Sequence, residues 1–257
     1  MRRRVLALAL FLLLVWTSPG TAQAPPSPLV TDRPDFTESP LAVLPGQIQL
    51  EAGYTLTGDG RTDEHTLGEV LVRIGVADGL EARLGLESHV WIEGPAGDDA
   101  GFEDPSLGIK LALADEPVRP GLRPAVGLLI GTTVPGADDF GEGEWQPEAT
   151  LALAWDLADG LSLGSNLGYA YASESGERFD QAFASLAFGF DLAPRVAGYL
   201  ETFGFSDANP QGDDAAVVNG GATFLVHEDF QLDARAGAGL NGAAPDFFAG
   251  VGVAYRW

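Results

Sequence analysis

The sequence contains no cysteine, which removes disulfides, thiolate chemistry and a lipid anchor on a leading cysteine together. Histidine is nearly as scarce, with three copies at positions 65, 89 and 227 that form no spaced cluster, and no metal site is expected. Basic residues are few, 14 against 37 acidic ones. Nothing here could neutralise a phosphate backbone, so nucleic acid is excluded as a partner. Long apolar runs are confined to the start, where "MRRRVLALALFLLLVWTSPGTAQA" offers three arginines, an apolar stretch from Val5 to Trp16 and Ala22-Gln23-Ala24. That is the layout of a signal peptide over residues 1–24, cut after Ala24. The run falls short of the roughly 20 residues a membrane-spanning helix needs, and no later segment comes closer. Without its leader, the chain sets eleven basic residues against 37 acidic ones, a net charge of −26.

What the sequence has is alternation. In the final stretch "DFFAGVGVAYRW", Phe247, Ala249, Val251, Val253, Tyr255 and Trp257 form one apolar face, while Gly250, Gly252, Ala254 and Arg256 are small or charged. A period of two means a β-strand between two different environments. Twelve such segments are expected, near 46–57, 66–76, 80–93, 105–114, 123–133, 148–157, 161–173, 181–192, 195–206, 216–226, 230–240 and 246–257. At ~3.3 Å per residue and a tilt near 45°, each covers about 25 Å of membrane thickness.

The connections sort by length. Short turns ("ADG" at 77–79, "ADG" at 158–160, "AP" at 193–194, "HED" at 227–229) alternate with longer acidic loops such as "GDGRTDEH", "GPAGDDAGFED", "GADDFGEGEWQPE", "ESGERFD" and "DANPQGDDAA". Short turns on one rim and long loops on the other characterise an outer-membrane barrel with an even strand number. The expected fold is therefore all-β, an antiparallel up-and-down transmembrane barrel of about 12 strands over residues 46–257. Residues 25–45 precede it as a periplasmic segment. Both termini should lie in the periplasm of a Gram-negative envelope, with the acidic loops outward. A closed barrel pairs its last strand with its first, so Tyr255 and Trp257 at the end read as a signal for the barrel-assembly machinery.

The stretch "LVTDRPDFTESP" (Leu29–Pro40) resembles the opening motif of a family of outer-membrane transporters labelled "MetA-pathway of phenol degradation". A Gly-rich β chain, short D-G turns and an aromatic end extend the resemblance over most of the mature chain. It implies a transporter-like barrel and leaves the substrate open.

Alternation places Glu51, Glu69, Arg73, Glu81, Arg83, Glu87, His89, Trp91, Lys110, Asp233, Arg235 and Arg256 in the lumen. In "RVAGYLETFGF", Tyr199, Glu201 and Phe203 are placed inward, because a carboxylate facing mid-membrane lipid is costly. Such a lumen suits a salt-bridge network filling a narrow barrel and a polar pathway that orients solutes equally well. Ser88 and His89 are adjacent and point to opposite faces, so they form no nucleophile–base couple, and no catalytic residue or cofactor is expected. "DANPQG" starts like a calcium loop, but Val218 stands where the bidentate Glu belongs. Strands two and three should pair with residue numbers summing to about 156, which sets Arg73 opposite Arg83. In the Pro-rich segment, Thr31, Asp32, Arg33, Pro34, Asp35 and Glu38 form the motif, and Asp32, Asp35 and Glu38 are the candidate counter-charges. The segment is expected to enter or cap the periplasmic mouth as a plug; a disordered leader is the competing reading. The function expected is passage of small solutes, aromatic or apolar ones included, across outer-membrane lipid by facilitated diffusion. A sealed structural or surface-interaction barrel is the alternative, and an outer-membrane lipid-modifying enzyme ranks behind both.

Overall fold

The computed structural model describes residues 29–114, 123–137 and 140–257; the expected signal peptide and most of the connection "DEPVRPGLRP" lie outside them. The chain forms β1 (Ile48–Asp59), β2 (Thr62–Ala77), β3 (Leu80–Gly85), β4 (His89–Glu93), β5 (Asp99–Phe102), β6 (Ser106–Ala114) and β7 (Ala125–Thr133). It continues through β8 (Gln146–Ala158), β9 (Leu161–Glu174), β10 (Glu177–Ala193), β11 (Val196–Ser206), β12 (Ala215–His227), β13 (Phe230–Gly239) and β14 (Phe247–Arg256). Segments β3 and β4 both pair with β2 and are halves of one stave; β5 and β6 pair with them as halves of the next. The result is a closed antiparallel barrel of 12 strands. Closure is made by β1 against β14, from Gln49 opposite Arg256 to Gly58 opposite Phe247. At its lower end Ile48 N–H donates to the Trp257 carbonyl and Trp257 N–H to the Ile48 carbonyl, both at 3.0 Å.

The solvent pattern is inside out. Leu113, Leu192 and Leu200 are 58, 59 and 60 % exposed, while Arg73, Lys110, Gln49, Glu51, Glu81 and Asn166 are the large side chains most fully buried. In a water-soluble sandwich the two sets would change places; an apolar outer band around a polar interior is the pattern lipid demands. Among the described residues no helix is long and apolar enough to cross a membrane.

Two of the expected outer loops are strand instead. "GDGRTDEH" and "ESGERFD" extend the β1–β2 and β9–β10 ladders until Asp59 pairs with Thr62 and Glu174 with Glu177. Two-residue tips suffice because Gly60 (φ +61°) and the pair Ser175 (φ +53°) and Gly176 (φ +79°) adopt the left-handed backbone that matches strand twist.

A second difference concerns which face a residue occupies. Arg73 lies opposite Arg83 as expected, but the β1–β2 register shifts between Glu51 and Gly53. The extra residue sits on β2, where Gly68 (φ +118°) and Glu69 (φ +40°) form a bulge. A bulge reverses the phase of everything beyond it. Leu67 therefore turns outward, 51 % exposed, and β4 inherits that phase, with His89 opposite Leu67 and Trp91 opposite His65. The expectation that His89 and Trp91 line the lumen is thus overturned. Trp91 stacks on His65 at 4.7 Å in an outward aromatic cluster with Tyr54, and Val90, 2 % exposed, takes the inner face. Glu87 belongs to neither face: it lies in the break between β3 and β4 and is exposed.

Candidate functional site: the occupied lumen

Segment 29–47 runs inside the barrel and touches strands on every side of it. Arg33 donates to Glu69 on β2 at 2.5 Å and to Asp233 on β13 at 3.5 Å. Phe36 stacks on Phe203 of β11 at 4.4 Å and meets Phe183 of β10 edge-on at 5.7 Å. Glu38 reaches Arg83 on β3 at 3.0 Å. Ser39 N–H then returns to the Asp32 carboxylate at 3.3 Å, so residues 32–39 form a loop with its apex at Pro34–Phe36. Before β1, Val43 N–H donates to Glu81 at 2.8 Å and Gly46 N–H to the Gly75 carbonyl at 2.9 Å.

The wall holds this loop chiefly by its main chain. Glu51 accepts the N–H groups of Asp32 and Arg33, both at 3.0 Å. Glu201 accepts those of Phe36 at 2.9 Å and Thr37 at 2.7 Å, and is steadied by Asn219 at 2.6 Å. Asn166 clasps Glu38 both ways, accepting its N–H at 2.7 Å and donating to its carbonyl at 3.0 Å. A segment rich in proline forms no ladder of its own, so its buried amides need acceptors from elsewhere, and wall carboxylates supply them.

The charges close around Asp32. Lys110, fully buried, places its ammonium 2.8 and 2.9 Å from the two Asp32 oxygens. Arg73 approaches the same carboxylate at 3.2 Å, and Arg83 forms a short hydrogen bond to it. All five Arg73 N–H groups have acceptors: Glu81 twice, Glu51, and the Val30 and Leu41 carbonyls of the segment. The Arg73–Arg83 juxtaposition is therefore answered by Glu81 and Asp32 together. Burial pushes the Asp32 carboxyl up, but the charges of Arg73, Lys110 and Arg83 outweigh it and hold the group well below the usual range. Glu38 hydrogen-bonds to Asp32, and burial together with the Asp32 charge pushes it up to about 8. Asp35 differs from the expectation that it serves as a counter-charge. Among the described residues it has no salt bridge, and burial, followed by the Glu201 charge, raises its carboxyl well above the usual range.

The remaining expected residues distribute as follows. Glu69 joins Arg33 to Arg235, the latter at 3.4 Å, and Arg235 also donates to the Pro34 carbonyl at 3.2 Å. Thr31 receives a hydrogen bond from Gln231 at 3.0 Å. Tyr199 is buried in the inner wall against Gly221. Arg256 donates to Asp229, at 2.7 Å, in the turn before β13. Tyr255 and Trp257 stack on the outer face at 5.6 Å. Gln49, Asn166, Ser185, Asn219 and Gln231 also contact the segment or its receptors and were not singled out by sequence. Their signal was available, since each shares an inward face with a small or charged neighbour two residues away.

Inward glycines make the seat. A Cβ on Gly127 would lie 2.7 Å from Pro40 and one on Gly164 3.0 Å from Thr37, while Gly53 and Gly252 leave room for the Arg33 guanidinium. The segment does not fill the barrel. A cavity of ≈ 570 Å³ remains beside Glu38, Arg83, Glu148 and Asn166, and another of ≈ 440 Å³ lies against Phe36. The arrangement can obstruct, and on rearrangement widen, a water-filled path.

Among solved structures, the fold is similar to a COG4313 outer membrane channel from Pseudomonas putida F1 (TM-score 0.67, 16 % identity, 84 % of this chain and 97 % of that one). It is also similar to the KdgM porin (TM-score 0.53, 9 % identity, 80 % and 98 %) and the NanC porin (TM-score 0.52, 14 % identity, 81 % and 98 %). At these identities the likeness speaks for the barrel alone. No curated protein matches the sequence. A family model described as "Putative MetA-pathway of phenol degradation" matches residues 31–257, from the Thr31 of the lumenal motif to the final tryptophan, and the chain belongs to that family.

Proposed function

We propose that the chain is an outer-membrane channel for small solutes, aromatic or apolar ones included, and that residues 29–47 are its plug. The observation that carries the reading is the threading of that segment across the lumen. Its amides are capped by Glu51, Glu81 and Glu201, and every salt-bridge partner of Lys110 among the described residues comes from it. A barrel sealed for structural reasons could fill its interior with its own wall side chains. Here the filler is a tethered length of chain that hydrogen bonds can release. The kinship with a family named for phenol degradation and the phenylalanines around Phe36 support aromatic solutes. In the outer membrane the short-turn rim faces the periplasm, where the assembly machinery inserts the barrel, and solutes move down their gradients. Single-channel recording in planar bilayers tests this. Deleting residues 25–42 should raise unitary conductance severalfold over the full chain, and a deletion variant as silent as the parent would leave only a sealed barrel.

A further inference from the structure

The ≈ 440 Å³ cavity above the plug has a composition unlike the rest of the lumen. Its floor is Phe36, its walls include Phe203, Phe205 and Phe248, and Val217 and Ala244 add to a mainly apolar lining in which Thr55, Asn219 and Arg235 are polar. Phe203 and Phe205 stand edge to face at 6.0 Å, and Phe205 meets Phe36 the same way at 5.4 Å. The roof comes from the connections 207–214 and 240–246, and it is fastened. Asn241 accepts the Ala216 N–H at 3.1 Å and donates to the Asp214 carbonyl at 2.7 Å, tying one connection to the base of the other. The volume lies in the range of small-molecule sites, about 300–1,000 Å³. Offset and edge-on phenylalanines present both ring faces and ring edges, which another aromatic ring complements better than an aliphatic chain does.

Charge narrows the choice further. An anion approaching from outside passes Asp207, Asp213, Asp214 and Asp246. The nearest cation, Arg235, is already engaged by Glu69 at 3.4 Å and Thr55 at 2.9 Å. A cation would be drawn by those aspartates but would then meet the Arg235 guanidinium, which lies 5.6 Å over the Phe248 ring and occupies the face a cation would seek. A neutral ring meets neither obstacle, and Thr57 and Gln181 at the border of the cavity can receive a single polar substituent. We infer that this cavity is a binding site for a neutral, single-ring aromatic solute bearing one small polar group, with plug residue Phe36 forming its floor. The inference rests on the channel reading only for the route by which the solute arrives.

Isothermal titration of the purified full-length barrel tests it, with benzyl alcohol, benzoate, benzylammonium and cyclohexylmethanol as probes. Benzyl alcohol should bind saturably at one site, at least tenfold more tightly than the other three. Val217→Phe, which fills the cavity from the wall, and Ala244→Trp, which fills it from the roof, should each weaken that binding tenfold or more in heat-modifiable, folded protein. Partition into detergent is common to all variants and cancels in the comparison. No saturable site for benzyl alcohol, equal or tighter binding of a charged probe or the saturated ring, or wild-type affinity in both variants would overturn the assignment. Single-channel recording on the same preparation keeps the two ideas apart. A conducting barrel without the site defeats this inference alone, and a silent barrel with it defeats the channel alone.

Discussion

Replacing Asp32 with Asn removes one negative charge from the point where three cations meet. Lys110 then loses its partner at 2.8 and 2.9 Å, and Arg73 and Arg83 each lose one of their carboxylates. Breaking a buried ion pair from one side costs about 3–5 kcal/mol, because the charge left behind is neither solvated nor paired. Glu38 softens the loss. Its carboxyl is held up partly by the Asp32 charge, so once that charge is gone Glu38 ionises more readily and answers Arg83 and Lys110. The lower end, about 3 kcal/mol, is therefore expected for Asp32→Asn alone, and the upper end when Glu38→Gln is added. At about 1.4 kcal/mol per tenfold, the ratio of released to docked plug rises roughly a hundredfold for the single variant. All the wall receptors remain, so the barrel itself should still fold. Two assays read the result: the open fraction in planar bilayers and the rate at which protease cuts residues 29–45 of the folded barrel. Asp35→Asn is the internal control: Asp35 is half-buried, has no salt bridge among the described residues, and its carboxyl is raised toward the neutral form, so the neutral amide should hold or strengthen docking and raise neither readout. An Asp32→Asn barrel with wild-type open fraction and a protected segment would refute the charge argument. A large rise of either readout in Asp35→Asn would refute it equally.

Plug release should also depend on pH. Docking raises the Glu38 carboxyl to about 8 and raises Asp35 too, so the docked state binds more protons than the released one between the ordinary carboxylate range and about pH 8. Docking is then strongest at the acidic end of that window and weakens as pH rises through it, by about 1.4 kcal/mol per unit for each group, until Glu38 ionises in both states. The open fraction should climb from pH 5 to 8 and the climb should flatten in Glu38→Gln. Gly127→Val places a side chain where Pro40 passes at 2.7 Å, and overpacking of about 1–3 kcal/mol should raise protease sensitivity of the segment while the strand itself is favoured. Trp257→Ser keeps both main-chain bonds to Ile48, so a sharp fall in heat-modifiable, folded barrel would come from the lost aromatic ring, and wild-type yield would refute its role in assembly.

The barrel was legible because lipid and lumen impose opposite demands on successive residues. In "FQLDARAGAGL" and "LEARLG" nothing interrupts the alternation, and Glu81, Arg83, Asp233 and Arg235 fall on the inner wall. Face assignment failed where backbone geometry intervened. The bulge at Glu69 is invisible to a period-two count, since Glu69 points inward with or without it and the residues beyond it, Leu67, His89 and Trp91 among them, change sides. Side-chain charge, Asp32, Asp35 and Glu38 as counter-charges to the paired Arg73 and Arg83, points to entry of the segment but not to Glu51 and Glu201 as acceptors of its amides. Single charges reveal sign, but which donors they will meet depends on the path of a chain without regular periodicity. The inward glycines carried no charge signal, and their meaning appears only once Pro40 and Thr37 are seen against them.

A receptor that grips amides is largely indifferent to which amino acid presents them. Glu51 and Glu201 recognise a path through space, fixed by where four N–H groups fall, and most substitutions at Phe36 leave those groups where they are. The plug can therefore diverge at its tip, altering what its apex offers to a passing molecule, while its docking stays intact. Proline is the exception, for at Arg33 or Thr37 it would delete a donor outright. Among descendants of this chain, tip residues should be free to vary with the solutes encountered, whereas the positions from which proline is barred should trace the socket.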